Sequence, residues 1–268
     1  MKSGEVTRLE KRIRERFVKA FATYGLLADG DHVLVGLSGG KDSLCLLEML
    51  GRRAKIHHPR FTVEAIHVRM ADVDYRTSTA FLEQFCRELD VPLHIVTTNF
   101  PQPPTSNLNP PLGRRTLAQQ ESSNLNPQSS NLKSSKPYCF LCSWQRRKQM
   151  FNLAQELGCN KIALGHHQDD LLTTALMNLF FQSRFETMPA CLQMDKMPLQ
   201  IIRPLCLVAE ADISRYAELR GYEKLEKLCP YEDDTQRTAM RQLLDNVIAA
   251  NPEARHSLWS ALIREGKV

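Results

Sequence analysis

Short apolar runs alternate along this chain with stretches in which apolar residues return every three or four positions. Val33 to Gly36, Phe61 to Val68, Leu93 to Thr97, Lys161 to Gly165 and Leu199 to Leu205 read as strands, being short and apolar. Between and after them, Leu44 to Leu50, Thr79 to Leu89, Met150 to Leu157, the segment from Asp169 through about Phe181, and Ala209 to Leu219 carry helical spacing. The expected fold class is α/β: a parallel, doubly wound sheet with helices on both faces. Helical additions flank it, Leu9 to Leu26 in front and Thr235 to Ala250 and Glu253 to Ile263 behind, the last two split by Asn251-Pro252. The expected division is an N-terminal basic helix (1–27), an α/β domain (28–220), and a C-terminal loop with helices (221–268).

One segment breaks the pattern. From Phe100 to Pro137 the chain is rich in Pro, Ser, Asn and Gln, and Ser106-Asn107-Leu108-Asn109-Pro110 recurs as Ser123-Asn124-Leu125-Asn126-Pro127. Such a stretch buries too little apolar area to offset its ordering entropy, so it reads as a disordered insertion.

A hydrophobic content of 43% supplies a core for 268 residues, which suits one large domain with additions. No apolar run approaches the roughly 18 residues of a membrane span. The polar start Met1-Lys2-Ser3-Gly4 lacks the apolar stretch of a secretion signal. A cytoplasmic protein without a membrane partner is expected. There, eight cysteines point to ligands, nucleophiles or small core residues rather than disulfides. Cys45, Cys86, Cys159 and Cys206 fall inside expected helices or strands and read as core. The net charge of +5 leans toward a polyanion without specifying one. On the first helix, Arg8, Lys11, Arg12, Arg14, Arg16 and Lys19 lie opposite Ile13, Phe17, Ala20, Phe21 and Tyr24. That basic face reads equally as a solvated surface and as a phosphate-contacting one.

The turns carry the chemistry. Ser38-Gly39-Gly40-Lys41-Asp42-Ser43 lies between a strand and a helix. Paired glycines there let successive amides converge on an anion, and the helix N-terminus adds partial positive charge. It is not a Walker A loop, whose spacing Val35 and Asp42 break. It resembles the PP-loop of enzymes that split ATP into AMP and pyrophosphate. Gly165-His166-His167-Gln168-Asp169-Asp170 ends another strand, and on a parallel sheet it opens onto the same edge. Asp169 and Asp170 read either as helix caps or as acids that help hold Mg²⁺ beside nucleotide phosphates. His166 reads as a nucleotide-orienting, capping or core residue.

Cys139-x-x-Cys142 fits a redox pair, half a zinc site or part of an iron–sulfur cluster, and Cys229 in a later loop offers a third thiolate. Three thiolates fall short of a structural zinc site, which His67 or His167 would have to complete. On a four-iron cluster they leave one iron open for an exogenous ligand. Arg146, Arg147 and Lys148 follow the pair on a helix, suited to phosphate or RNA.

Taken in order, Ser38 to Ser43, Cys139-x-x-Cys142-Ser-x-x-Arg146-Arg147, Gly165-His166-His167-x-Asp169-Asp170 and Cys229 resemble the tRNA 2-thiocytidine synthetase family. The likeness also covers the basic first helix and the turn from Leu26 to Asp31, and so spans nearly the whole chain outside the insertion. It implies a PP-loop α/β fold and ATP- and Mg²⁺-dependent activation of a base carbonyl in tRNA as an adenylate, with cytidine 32 of the anticodon loop as the target. Sulfur carried on the open iron of a three-cysteine [4Fe-4S] cluster then displaces AMP.

By the same resemblance Cys139, Cys142 and Cys229 are the cluster ligands. The ATP site is Leu37, Ser38, Gly39, Gly40, Lys41, Asp42 and Ser43 with His67, Gly165, His166 and Asp170. Asp42, Arg146 and Asp169 are the implied catalytic groups, and Asp169 and Asp170 the magnesium side. Implied partners are tRNA, a cysteine desulfurase or other sulfur donor, and a second copy of the chain in a homodimer. One departure stands out. Better-known members carry a second Cys-x-x-Cys near the C-terminus, whereas here Cys229 is followed by Glu232 at the last position, which bears on sulfur delivery rather than cluster binding. On the residues alone, other PP-loop chemistries (2-thiouridine or lysidine formation, amidation) and a non-catalytic zinc-stabilised RNA-binding protein stay open.

Overall fold

Valines and leucines of the first strand set the centre of the molecule. In the computed structural model, which describes residues 2–71, 73–99, 138–228 and 235–268, β1 (Asp31–Gly36) lies between β2 (Phe61–Met70) and β5 (Lys161–Ala163), parallel to both. Val33, Leu34 and Val35 are fully buried. Because strand side chains alternate faces, Val33 and Val35 enter one core and Leu34 the other.

The first core is the larger. It packs α1 (Lys2–Tyr24), α2 (Lys41–Ala54), α3 (Ala80–Leu89), α5 (Gln168–Gln182) and α6 (Glu210–Arg220) against the sheet. The second face is covered by α4 (Tyr138–Glu156), through Ala154 with Met150, Phe151 and Leu153. The buried stripe of α1, with Leu9, Ile13, Phe17, Ala20 and Phe21, joins the same core as α2, so this helix is packed into the α/β body. Cys45, Cys86, Cys159 and Cys206 are all buried, as expected of core residues.

The six-stranded sheet has the order β4–β2–β1–β5–β7–β6, with β4 at Leu93–Thr98 and β7 at Gln200–Ile202. From β1 the chain winds outward through β2 and β4, then returns and winds the other way through β5 and β7. The reversal falls between β1 and β5, the place where doubly wound sheets open a ligand crevice beyond the strands' carboxyl ends.

Two features depart from an all-parallel reading. The edge strand β6 (Cys191–Gln193) runs antiparallel to β7, and β3 (Asp74–Tyr75) pairs antiparallel with β8 (Lys227–Leu228) in a separate ribbon. Strands of two or three residues carry no readable periodicity, so only the fold reveals them. Finally, α7 (Thr235–Ala250) packs on α5, and α8 (Ala254–Arg264) on α7. The insertion expected over 100–137, the side chain of Cys139 and all of Cys229 and Glu232 lie outside the described residues.

Candidate active site

Both motif-bearing turns lie at the switch point. After β1, Gly39 adopts φ +81° and Gly40 precedes α2 in extended backbone without a capping side chain. The loop is closed by its own serines. Ser43 Oγ donates to the Gly40 carbonyl at 2.9 Å, the Ser38 amide donates to Ser43 Oγ at 3.2 Å, and the two hydroxyls lie 3.1 Å apart. An uncapped helix start behind a glycine turn is suited to a phosphate.

Gly165 explains why the second turn sits so near. A Cβ there would meet the Asp42 backbone carbonyl carbon and the Ser43 amide nitrogen at 3.1 Å, so glycine lets the β5 turn press against the start of α2 without displacing that backbone. Gly39 has the same role toward another segment. Its hypothetical Cβ would fall 2.5 Å from Leu225 Cβ, and the Leu225 amide donates to the Gly39 carbonyl at 3.0 Å.

The acids behind the glycine loop are heavily engaged. Asp170 caps its own helix by accepting from the His167 amide at 3.1 Å, and its other oxygen accepts from Arg237 at 2.7 Å. Asp169, only 1% exposed, accepts from the Glu210 amide at the start of α6 at 2.8 Å and from Arg255 at 2.6 Å, with Arg241 at 3.5 Å. Capping of α5 is thus what the Asp170 carboxylate does, whereas that of Asp169 does not cap its own helix. Asp169 accordingly turns toward α6, α7 and α8.

Lys41 reaches Glu210 at 2.8 Å and Asp42 at 3.4 Å, and Glu210 also pairs with Arg241. Burial works against charge on Lys41, but the Glu210 hydrogen bond and the Asp42 and Glu210 charges outweigh it and raise its pKa. Burial also opposes ionisation of Asp169, Asp170 and Glu210. Their cationic partners win, and all three carboxyls titrate below the usual range. Asp42 differs. Burial outweighs the neighbouring His167 and Lys41 charges, its pKa is raised, and its Oδ1 is buried without a hydrogen bond.

In front of the loop lies a cavity of about 580 Å³. It brings together the expected Leu37, Ser38, His67, Arg146 and His166, with Tyr75 and Arg203, which the motifs did not include. His67 Nδ1 donates to the Leu37 carbonyl at 2.7 Å and so fastens the loop to β2. Arg146 on α4 reaches the Tyr75 hydroxyl at 3.4 Å, and Tyr75 pairs with Lys227 across the β3–β8 ribbon. Burial and the nearby Arg203 charge push the His166 pKa down to about 4, keeping the ring neutral.

Cys142 is a half-buried free thiol one helical turn before Arg146 on α4. Among the described residues no group of three His, Cys, Asp or Glu side chains forms a ready metal site. Two of the three cysteines expected as cluster ligands fall outside the described side chains, Cys139 and Cys229.

A family model described as a PP-loop domain matches residues 144–248. The tRNA-cytidine(32) 2-sulfurtransferase of Methylococcus capsulatus is 32% identical over 260 residues, covering 96% of this chain and 81% of the relative. The chain belongs to this family. A second member, from Paraburkholderia phymatum, is 33% identical over 262 residues, covering 96% of this chain and 69% of its own. Among solved structures, the U34-tRNA thiolase NcsA from Methanococcus maripaludis with its [4Fe-4S] cluster superposes with a TM-score of 0.67 at 24% identity. That match covers 96% of this chain and 78% of NcsA and establishes a shared fold.

Sequence motifs of the 2-sulfurtransferase family led to the glycine loop and the acidic turn, but not to the basic groups opposite them. Arg237 and Arg241 stand four apart on α7, a spacing that puts both on one face, and with Arg255 they form the cationic counterpart of Asp169, Asp170 and Glu210. That spacing was the available signal. Within α7, Arg241 also lies 3.5 Å from Asp245 one turn on, a local pairing that hides its longer-range partners Asp169 and Glu210 from the sequence.

Proposed function

We propose that this chain is an ATP-dependent tRNA thiolase that replaces a pyrimidine carbonyl oxygen with sulfur, the target being the cytidine named for its relatives. The base oxygen attacks the α-phosphorus of ATP and releases pyrophosphate; sulfur then replaces the adenylated oxygen at carbon and releases AMP. Leu37 to Ser43 hold the nucleotide, the Gly39–Gly40 turn and the start of α2 receiving phosphate oxygens. His67, Gly165 and His166 shape the surrounding wall.

The donor set at Asp42 fits a magnesium ion. Its buried Oδ1 has no hydrogen-bond partner, with the Lys41 ammonium nearby at 3.4 Å, and a divalent cation there would further offset the burial that raises its pKa. Asp170, which shares His167 as a neighbour with Asp42, is the second acid that would hold such an ion. Asp169 is assigned to positioning, since it joins α5 to α6 and α8. Arg146, on the cavity wall, is placed to meet developing phosphate charge.

Cys139, Cys142 and Cys229 are the ligands this reading gives to a [4Fe-4S] cluster. Cys142 fits as a free, accessible thiol on a helix bordering the cavity. When bound, the cluster supplies the open iron that carries sulfide. The observation supporting this arrangement is the Leu225–Gly39 contact, which ties the segment leading into Cys229 to the nucleotide loop.

Anaerobically purified or reconstituted protein is expected to be brown with about four irons per chain. Mass spectrometry of tRNA nucleosides made with ATP, Mg²⁺ and sulfide is expected to show 2-thiocytidine. A colourless protein with one zinc overturns the cluster assignment, and unchanged tRNA overturns the activity.

A further inference from the structure

The cavity extends beyond the nucleotide loop, and the sheet order divides it. On one side of β1 it is bounded by Ile66, His67 and Val68 of β2; on the other it continues past β5 to β7 and the edge strand β6. The β7 half has apolar walls, Leu164, Met188, Leu192 and Ile201. Into this apolar setting the chain places an arginine. Arg203 is 6% exposed, and its Nη1 donates to the Pro189 carbonyl at 2.6 Å. Its Nε is buried without a hydrogen-bond partner, and its titratable neighbours are the thiols of Cys206 and Cys191 rather than a carboxylate. Beside it His166 Nδ1 is also buried and unpartnered.

Buried guanidinium N–H groups are ordinarily satisfied, so two residues that line one cavity and each carry an unpaired buried polar atom mark a place where a ligand completes the bonding. A bare phosphate would satisfy Arg203 and leave the four apolar walls idle. A flat ring with acceptors along one edge satisfies both. The opening matches a polymer as well, since Leu192 lies partly exposed on the edge strand, where a base can enter from outside the sheet.

We propose that the β7 half of the cavity is the slot for the target pyrimidine, with Arg203 donating to the acceptor edge of the base. This rests on the reading of the chain as a tRNA thiolase. ATP occupies the β2 half and the glycine loop, and the two ligands meet at Ser38 and His166. Arg203 is then a residue that recognises the base and contributes nothing to nucleotide affinity.

The test compares binding of two anticodon stem-loop RNAs by fluorescence anisotropy, one with cytidine at the target position and one abasic there, alongside ATP titration by calorimetry. Wild-type protein should prefer the cytidine RNA by about tenfold, the size of one good base contact. Arg203→Met should erase that preference while leaving the abasic RNA and ATP affinities unchanged. Leu192→Trp, a change at an exposed edge position, should do the same by filling the slot, and it keeps the test decisive if Arg203→Met misfolds. Loss of ATP affinity in Arg203→Met would put the arginine at the nucleotide. Equal weakening of both RNAs would make it a backbone contact. Either result, or an unaltered preference in both variants, overturns the proposal. A wild-type protein that thiolates tRNA while these variants behave normally would sink the slot alone; a wild type that thiolates nothing would sink the reading beneath it.

Discussion

The amide of Leu225 donates to the carbonyl of Gly39 at 3.0 Å, and the Leu225 side chain fills the space a Gly39 Cβ would need. A residue 186 positions further along the chain is thereby fitted to the turn after the first strand. Glycine is required at that turn twice over, by φ +81° and by the 2.5 Å approach.

Gly39→Ala should therefore be severe. The alanine must either adopt a strained backbone or push Leu225 away, at a cost on the order of 1–3 kcal/mol. ATP affinity measured by calorimetry should fall roughly five- to 150-fold, which is that cost converted at 1.4 kcal/mol per tenfold, and the melting temperature should drop with it. Unchanged ATP affinity would show that the turn does not hold phosphate.

Asp42→Asn should separate stability from activity. Burial raises the Asp42 pKa against the opposing His167 and Lys41 charges, so the site disfavours the charged carboxylate and folding is opposed by that charge. Removing it should raise the melting temperature by about 2–4 °C, as roughly 1 kcal/mol does for a chain near this size. ATP turnover in the presence of Mg²⁺ should fall by about a hundredfold or more. A destabilised variant would contradict the burial argument.

Arg255→Ala should loosen the C-terminal helices. It deletes the 2.6 Å partner of the buried Asp169, leaving Arg241 and the Glu210 amide. Denaturant unfolding should show a loss of about 1.5–3 kcal/mol, the usual range for a hydrogen bond to a charged group. In Asp169→Asn the same arginine change should cost far less, because the charge it serves is gone. Equal costs in the two backgrounds would mean the pair is not coupled.

Acid should act in two stages. His166 titrates at about 4 when folded and near 6.5 when unfolded, so the unfolded chain takes up the extra proton between these values and stability falls as pH drops through that window. Asp169, Asp170 and Glu210 have lowered pKa values. Their contribution is fully present above the ordinary carboxylate range and is lost as pH falls through the lowered folded values. Melting temperature followed from pH 7 to pH 3 should decline first gently, then steeply, and His166→Asn should flatten the first stage only. A first stage that survives in this variant would assign it to another group.

Period and spacing alone were sufficient for the body of the fold and for the position of the two turns at its switch point. Val33 to Gly36 followed by Ser38 to Ser43 reads as strand, turn and helix because its signals are local: an apolar run, paired glycines, then helical spacing. The buried stripe of α1 was legible for the same reason. What tertiary structure decided is long-range. The partners of Asp169, the seating of Leu225 on Gly39, and the half of the cavity that holds Arg203 each join residues far apart in the chain. No periodicity encodes such pairs, because they arise only when β5 and β7 wind back on the far side of β1 and set Gly165 against the start of α2.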